Sequence, residues 1–360
     1  VVGALRRIIK RERARDAWIL GLGIAVLANS RPYEGLVLSL MAGAVLLAWM
    51  LKRGRAKAGA SSRRILLPLI VSAALIALWT GFYNLRITGS PFRMPYLVHE
   101  QTYGIAPLFV FQDPRPEPDY NHKAIRDIHS TWELADYLSQ QSLEGFLMAC
   151  KHKLENLARW NLQDLAFMIP LAALPLAIRR DPWVRGALGA CAIFVAALLV
   201  ETWLLPHYAS AIIGLTFVII IQSMRRLSAW RWGKHRAGRH ILRATLAMSA
   251  VYLIFTWANL PPVNRSTWSE RRARMLEELK QTSGRHLVIV RYAHDHVWSE
   301  EWVYNEADID AAQVVWAREM DEESNNALLE YFKDRRVWLL EVGAGWMSLK
   351  EMRPEMTAER

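Results

Sequence analysis

Two cysteines in 360 residues and no Cys-x-x-Cys leave redox and zinc-thiolate chemistry without support. Cys150 falls in a polar stretch and Cys191 in an apolar one, a placement that does not suit a disulfide. No glycine-rich phosphate loop follows any strand-like run, so a nucleotide-binding fold has no support either. A signal-peptide layout is also lacking, and the chain opens on Val1, which gives the expectation that a further segment lies upstream. Long apolar runs are missing from one part only. Residues 261–360 have none and carry 14 Lys and Arg against 19 Asp and Glu, net −5, whereas residues 1–260 carry 31 against 15, net +16. The contrast excludes a single soluble globule and a disordered chain, even though mean hydropathy is near zero at +0.06. Basic residues of the first part lie in short clusters between apolar runs, as in polytopic membrane proteins, so nucleic acid is set aside as a partner.

Charge-free runs extend over Ala17–Ser30, Gly35–Leu51, Ile65–Leu85, Leu165–Ile178, Gly186–Val200, Thr202–Met224 and Ala244–Leu260. A bilayer core of ~30 Å takes about 20 helical residues, so the runs at Ala17, Leu165 and Gly186 span only by borrowing flanking residues. The expectation is about seven transmembrane helices over residues 1–260. Alternate short connections are basic: six Lys and Arg in residues 1–15, six in Lys52–Arg64, three in Arg179–Arg185 and seven in Arg225–Arg243. By the positive-inside rule these are cytoplasmic, which leaves residues 86–164 as a long external loop and 261–360 as an extracytoplasmic domain. Trp18, Trp49, Trp79, Trp203 and Trp257 fall at span ends, where an interfacial belt accounts for them.

The long loop opens with turn chemistry at Thr88–Phe92 and Asp113–Pro118. From Ser142 to Trp160, Leu143, Phe146, Leu147, Cys150, Leu154 and Leu157 recur at helical spacing, with Lys151, Lys153 and Arg159 on other faces. The pattern predicts a helix along the membrane surface, with packing against the spans as the plain alternative. Pro261-Pro262 predicts the stop of the last span. Beyond it, a helix over Ser269–Gln281 ended by Gly284, strands at Leu287–Tyr292, Val314–Ala317 and Val337–Gly343, and a helix over Glu323–Lys333 predict a small α/β domain with a three-stranded sheet.

Polar residues at the external span ends are the candidates for chemistry, because ionisable groups near the bilayer are costly. The first turn holds Arg31, Tyr33 and Glu34; the later one holds Glu201, His207 and Tyr208; the long loop supplies Tyr83, Asn84, Arg86, His99 and Glu100. Arg holds a phosphate through two parallel hydrogen bonds, Glu accepts a proton or binds a metal, and His and Tyr transfer protons or orient a sugar. A purely structural role for the same residues has Arg31 and Glu34 capping their turn and His207-Tyr208 lying at the interface. In the tail, His294-Asp295-His296 on a strand would aim both rings to one face, as a metal site requires, and Asp308 and Asp310 could bind a cation; solvated turns account for both sets.

The runs ANSRPYEGL at Ala28–Leu36, YNLRITGSPFRMPY at Tyr83–Tyr96 and PHYAS at Pro206–Ser210 resemble bacterial membrane glycosyltransferases of the GT-C type. These are the protein-mannosyltransferase and aminoarabinose-transferase-like group, glycosyltransferase family 39-like. The tail from HLVIVRY through EWVYNEADID to VVWARE is similar to the external domain of bacterial members. The resemblance implies a multi-pass protein of the bacterial cytoplasmic membrane that transfers a sugar from a polyprenyl-phosphate donor to an envelope acceptor at the outer face. It implies a catalytic acidic residue in a first external loop, which here would precede Val1, and it leaves a divalent cation open as cofactor. It puts Arg31 at the lipid phosphate, with Tyr33, Glu34, His99, Glu201, His207 and Tyr208 as the further substrate-binding candidates. A transporter and a non-catalytic scaffold are the competing classes. No internal repeat of the spans favours transport, and an upstream external loop with an acidic pair would favour the transferase.

Overall fold

The structure, a computed structural model, describes residues 1–52, 58–161, 168–259, 267–297 and 299–352. The chain forms two compact units, Val1–Asp119 with Ile125–Ala258, and Tyr120–Ala124 with Asn259–Arg360.

The first unit is helical. Among the described residues five helices are long and apolar enough to cross a membrane: Pro32–Lys52, Ser62–Thr88, Pro182–Leu199, Pro206–Ser228 and Ala237–Ala258. The expected count of seven is therefore not confirmed. The first run is a helix of 17 residues, α2 (Ala14–Ser30), which follows α1 (Val2–Arg11), carries Asp16 in its first turn and is at the short limit of what a bilayer core takes. Residues 165–167 of the Leu165–Ile178 run lie outside the described residues. The remainder is two short helices, Met168–Leu171 and Leu174–Arg180, because Pro170 and Pro175 interrupt the backbone ladder. The Pro261-Pro262 stop also lies outside the described residues, and the preceding helix ends at Ala258.

A proline sets the first corner. Pro32 drives its predecessor out of the helical region, and Arg31 is extended at φ −148°, ψ 90° between α2 and α3 (Pro32–Lys52). The corner is tight at Gly35, where a Cβ would stand 2.8 Å from the Leu27 carbonyl oxygen. At the opposite end of α3, Ala42 and Leu46 pack with Ile8 of α1, Ala17 and Leu20 of α2 and Ile65 of α4 (Ala58–Thr88). The Tyr33 hydroxyl, at the start of α3, donates to the Ala197 carbonyl at 2.9 Å, so the Pro182–Leu199 helix ends beside the start of α3. Leu38, Phe194, Leu198, Ile212 and Leu215 form the core between them, while Leu40, Leu78, Leu253 and Trp257 face outward and exposed.

The Leu143–Asn161 helix is present as its spacing predicts, with one inversion. Leu143, Leu147 and Leu154 are exposed, whereas Lys153, assigned to an outer face, is buried with Leu157. The inward stripe is Phe146, Cys150, Lys153 and Leu157, at helical spacing and with a cation in it.

The second unit carries four strands, not three, in the order β2-β1-β3-β4: β1 (His286–Tyr292), β2 (Val314–Arg318), β3 (Arg336–Gly343) and β4 (Trp346–Glu351). β1 is parallel to both neighbours, with Val288 opposite Trp316 and Trp338, and β4 is antiparallel to β3. The continuous apolar run of β1 follows from burial on both faces. Val288, Val290, Leu340 and Val342 pack under Met275 and Leu279 of the Trp268–Gln281 helix, and Leu287 and Ile289 pack with Phe332, Leu328 and Leu329 beside the Glu322–Tyr331 helix. The overlooked β4 was signalled by Gly345, at φ 80°, in the two-residue turn between paired Gly343 and Trp346.

Candidate functional site

Residues 176 apart in sequence meet at one end of the helical unit. The Arg31 guanidinium lies 2.5 Å from His207 Nε2 and sits over the Tyr208 ring at 3.5 Å from its centre. A guanidinium only donates, so Nε2 accepts and the His207 proton is on Nδ1. The extended Arg31 and the 3₁₀ turn Pro206–Ile212 that opens the following span bring these groups together. His207 is exposed and Arg31 and Tyr208 are half-buried, so a cationic, aromatic mouth is open to a ligand.

Carboxylates lie beneath that mouth. Glu34, in the first turn of α3, is 3% exposed and Glu201 2%, and Oε1 of each is buried without a hydrogen-bond partner. The Arg31–Glu34 approach is 3.6 Å, an ion pair too long for a hydrogen bond. Burial, and next the charge of Glu34, push the Glu201 carboxyl up to about 8, against the opposing pull of Arg31 and Lys153.

The corner carrying Glu201 is clamped on both sides. Phe109 bridges Glu201 in antiparallel fashion, with Val110 N–H donating to Val200 O at 3.0 Å and Thr202 N–H to Leu108 O at 2.8 Å. The Lys153 ammonium donates to Gln140 Oε1 and to Glu201 O, each at 2.7 Å, and Gln140 Nε2 donates to Thr202 O at 3.0 Å. Neither Lys153 nor Gln140 is singled out by sequence reasoning. The one available signal was a lysine inside the stripe of Phe146, Cys150 and Leu157.

His99 belongs to a neighbouring cluster and does not join Arg31. Its ring centre is 5.8 Å from that of His129, whose Nδ1 is 2.6 Å from Glu133 Oε2 in a π-helical segment, Asp127–Glu133. Burial raises the Glu100 carboxyl, and Glu133 raises it further. Burial raises the Tyr96 phenol, followed by the charges of Glu100, Tyr208, Glu133 and Glu201. No protein-family model, curated protein or solved structure matches the chain. The functional reading therefore stands on these residues.

Of the six other substrate-binding candidates read from the sequence, Glu34, His207 and Tyr208 contact Arg31, Tyr33 and Glu201 are linked to each other through Phe109, and His99 lies in the second cluster. The tail candidates do not assemble. β1 ends at Tyr292, so His294 and Asp295 occupy an exposed turn and His296 stacks on Tyr292 at 4.3 Å; the two His do not share a strand face. Asp308 Oδ1 accepts from Ala311 N–H at 3.0 Å and Asp310 Oδ1 from the Tyr331 hydroxyl at 3.1 Å, so both are tied to the turn. Among the described residues no group of three or more His, Cys, Asp and Glu could hold a metal ion, and both cysteines are free. A cavity of about 410 Å³ lies between the sheet and the Glu322–Tyr331 helix, but its Arg291 is already held by Glu319 at 2.5 Å and Glu341 at 3.0 Å.

Proposed function

We propose that this chain forms part of a membrane glycosyltransferase that moves a sugar from a polyprenyl-phosphate donor to an envelope acceptor at the outer face of the bacterial cytoplasmic membrane. The observation that carries the reading is the meeting of Arg31 with His207 and Tyr208. Two short runs that resemble the GT-C group supply those residues. In transfer, the acceptor hydroxyl attacks the anomeric carbon, the bond from that carbon to the phosphate oxygen breaks, the phosphate departs with the electron pair, and the hydroxyl proton passes to the released phosphate monoester. Arg31 stabilises that departing charge through charge-assisted hydrogen bonds, from a site already aimed by Tyr208 and His207. The aromatic faces of Tyr208 and Tyr96 position the donor sugar.

The same reading keeps seven crossings. Arg31 and His207 begin α3 and the Pro206–Ser228 span at one end, and the Tyr33–Ala197 bond brings the preceding helix up to that end. The chain must then recross between Thr88 and Pro182, for which Met168–Leu171 and Leu174–Arg180 are the available helices. With α2 crossing too, all four basic clusters fall on one side, the cytoplasmic one, and the second unit lies outside.

The test is sugar transfer by the full-length protein in nanodiscs. Arg31→Ala is expected to lower transfer at least tenfold, on the order of one lost charge-assisted contact. His207→Ala, which releases the guanidinium, is expected to lower it less. Transfer unchanged in both variants overturns the proposal.

A further inference from the structure

We propose that the Arg31 mouth binds the lipid phosphodiester with one proton held on the Glu34 and Glu201 pair, so that the anion meets a site of no net formal charge beside a helix N-terminus. The inference rests on the reading of Arg31 as a phosphate ligand and adds what regulates binding there. Two buried carboxylates, Glu34 at 3.6 Å from Arg31 and Glu201 bridged to Phe109, whose ring packs on Tyr33, each have an Oε1 without a hydrogen bond, and a single guanidinium acts on both. If both were ionised, Arg31 would leave the site at net negative charge, and an incoming phosphodiester would meet repulsion in a desolvated pocket. With one proton on the pair the arginine is balanced, and the partial positive charge of the α3 N-terminus lies beside the entering anion.

The environments of the two groups divide the roles. Glu34 lies 3.6 Å from Arg31, in the first turn of α3. Among the described residues the Glu201 carboxylate makes no ion pair, since Lys153 approaches its backbone carbonyl, so it is the proton holder. The raised affinity of Glu201 for a proton agrees with this. The other titratable groups acting there are Tyr33 from α3, Tyr96 from the Pro95–Tyr103 helix, Lys153 from the Leu143–Asn161 helix, and His207 and Tyr208 from the corner itself. The window from pH 7 to pH 9 brackets the Glu201 carboxyl, at about 8.

A polyprenyl-phosphate hexose is the probe, because its phosphodiester keeps one negative charge throughout that window. In phosphatidylcholine nanodiscs the full-length protein is expected to bind it about tenfold more weakly at pH 9 than at pH 7. Glu201→Gln, which fixes a neutral group in the same shape, is expected to lose the pH dependence. The infrared band of a protonated buried carboxyl is read in parallel without ligand: it should be present at pH 7 and absent in Glu201→Gln. Parent and variant with the same pH dependence, or no such band, overturn the proton sharing even if the phosphodiester binds. No binding at any pH overturns both the proton linkage and the phosphate reading. Displacement of the probe by phosphatidylglycerol with the same pH dependence supports the proton-linked site and counts against a polyprenyl-specific donor.

Discussion

At the residue scale, the chemistry depends on a few polar atoms whose partners come from distant segments. Lys153 fixes the corner under Glu201 through Gln140 and the Glu201 carbonyl. Lys153→Met removes those bonds and leaves buried acceptors unpaired, which is expected to cost on the order of 2–4 kcal/mol and to lower the unfolding midpoint in detergent. Thermal unfolding equal to the parent would remove Lys153 from the clamp. A second prediction concerns pH. The folded Glu201 carboxyl is raised from 4.5 to about 8, so the folded state binds the extra proton, and this contribution is full below pH 4.5 and lost as pH rises to about 8. Glu201→Gln should therefore flatten the decline of stability between pH 5 and 8; an unaltered slope would contradict the assignment. The residue types at the site were legible, since Arg31, Glu34, Glu201, His207 and Tyr208 stand at predicted span ends. The pairing of Arg31 with His207 was not legible, because no local pattern encodes contact across 176 residues. His99 shows the same limit, with an equivalent sequence position but a different neighbour.

Elements were readable where periodicity was undisturbed and unreadable where proline or burial overrode it. β1 and β3 appear where alternation and apolar runs predict them, whereas Pro170 and Pro175 divide a run that hydropathy alone reads as one span. The Leu143–Asn161 helix was found, but its inward face was misread because a buried lysine counts as polar in any pattern. The α2–α3 corner gives a controlled test at this scale. Gly35→Ala places a methyl 2.8 Å from the Leu27 carbonyl oxygen and must open the corner that aims Arg31, whereas Gly43→Ala in the same helix meets nothing within 4 Å. The first change is expected to lower both the unfolding midpoint and donor affinity, the second neither. Equal behaviour of the two would mean that the corner does not position Arg31.

For the whole molecule, a basic helical unit with outward apolar faces and an acidic α/β unit with its own two-sided core share one chain. The division was visible in the reversal of net charge near residue 260, although the second unit also takes Tyr120–Ala124 from the long loop. Seven crossings imply that Ser90 and Gly233 lie on opposite sides of the membrane. With Cys150 and Cys191 replaced by serine, a single cysteine at Ser90 should react with an impermeant maleimide from outside, and one at Gly233 only after permeabilisation. Labelling of both from one side would contradict that path. The most direct test of the central claim is the affinity of the full-length protein for a polyprenyl-phosphate hexose at pH 7, measured for the parent and for Arg31→Ala. A site built around that guanidinium predicts at least tenfold weaker binding in the variant. Equal affinity would contradict the assignment of the Arg31, His207 and Tyr208 mouth to the lipid phosphate.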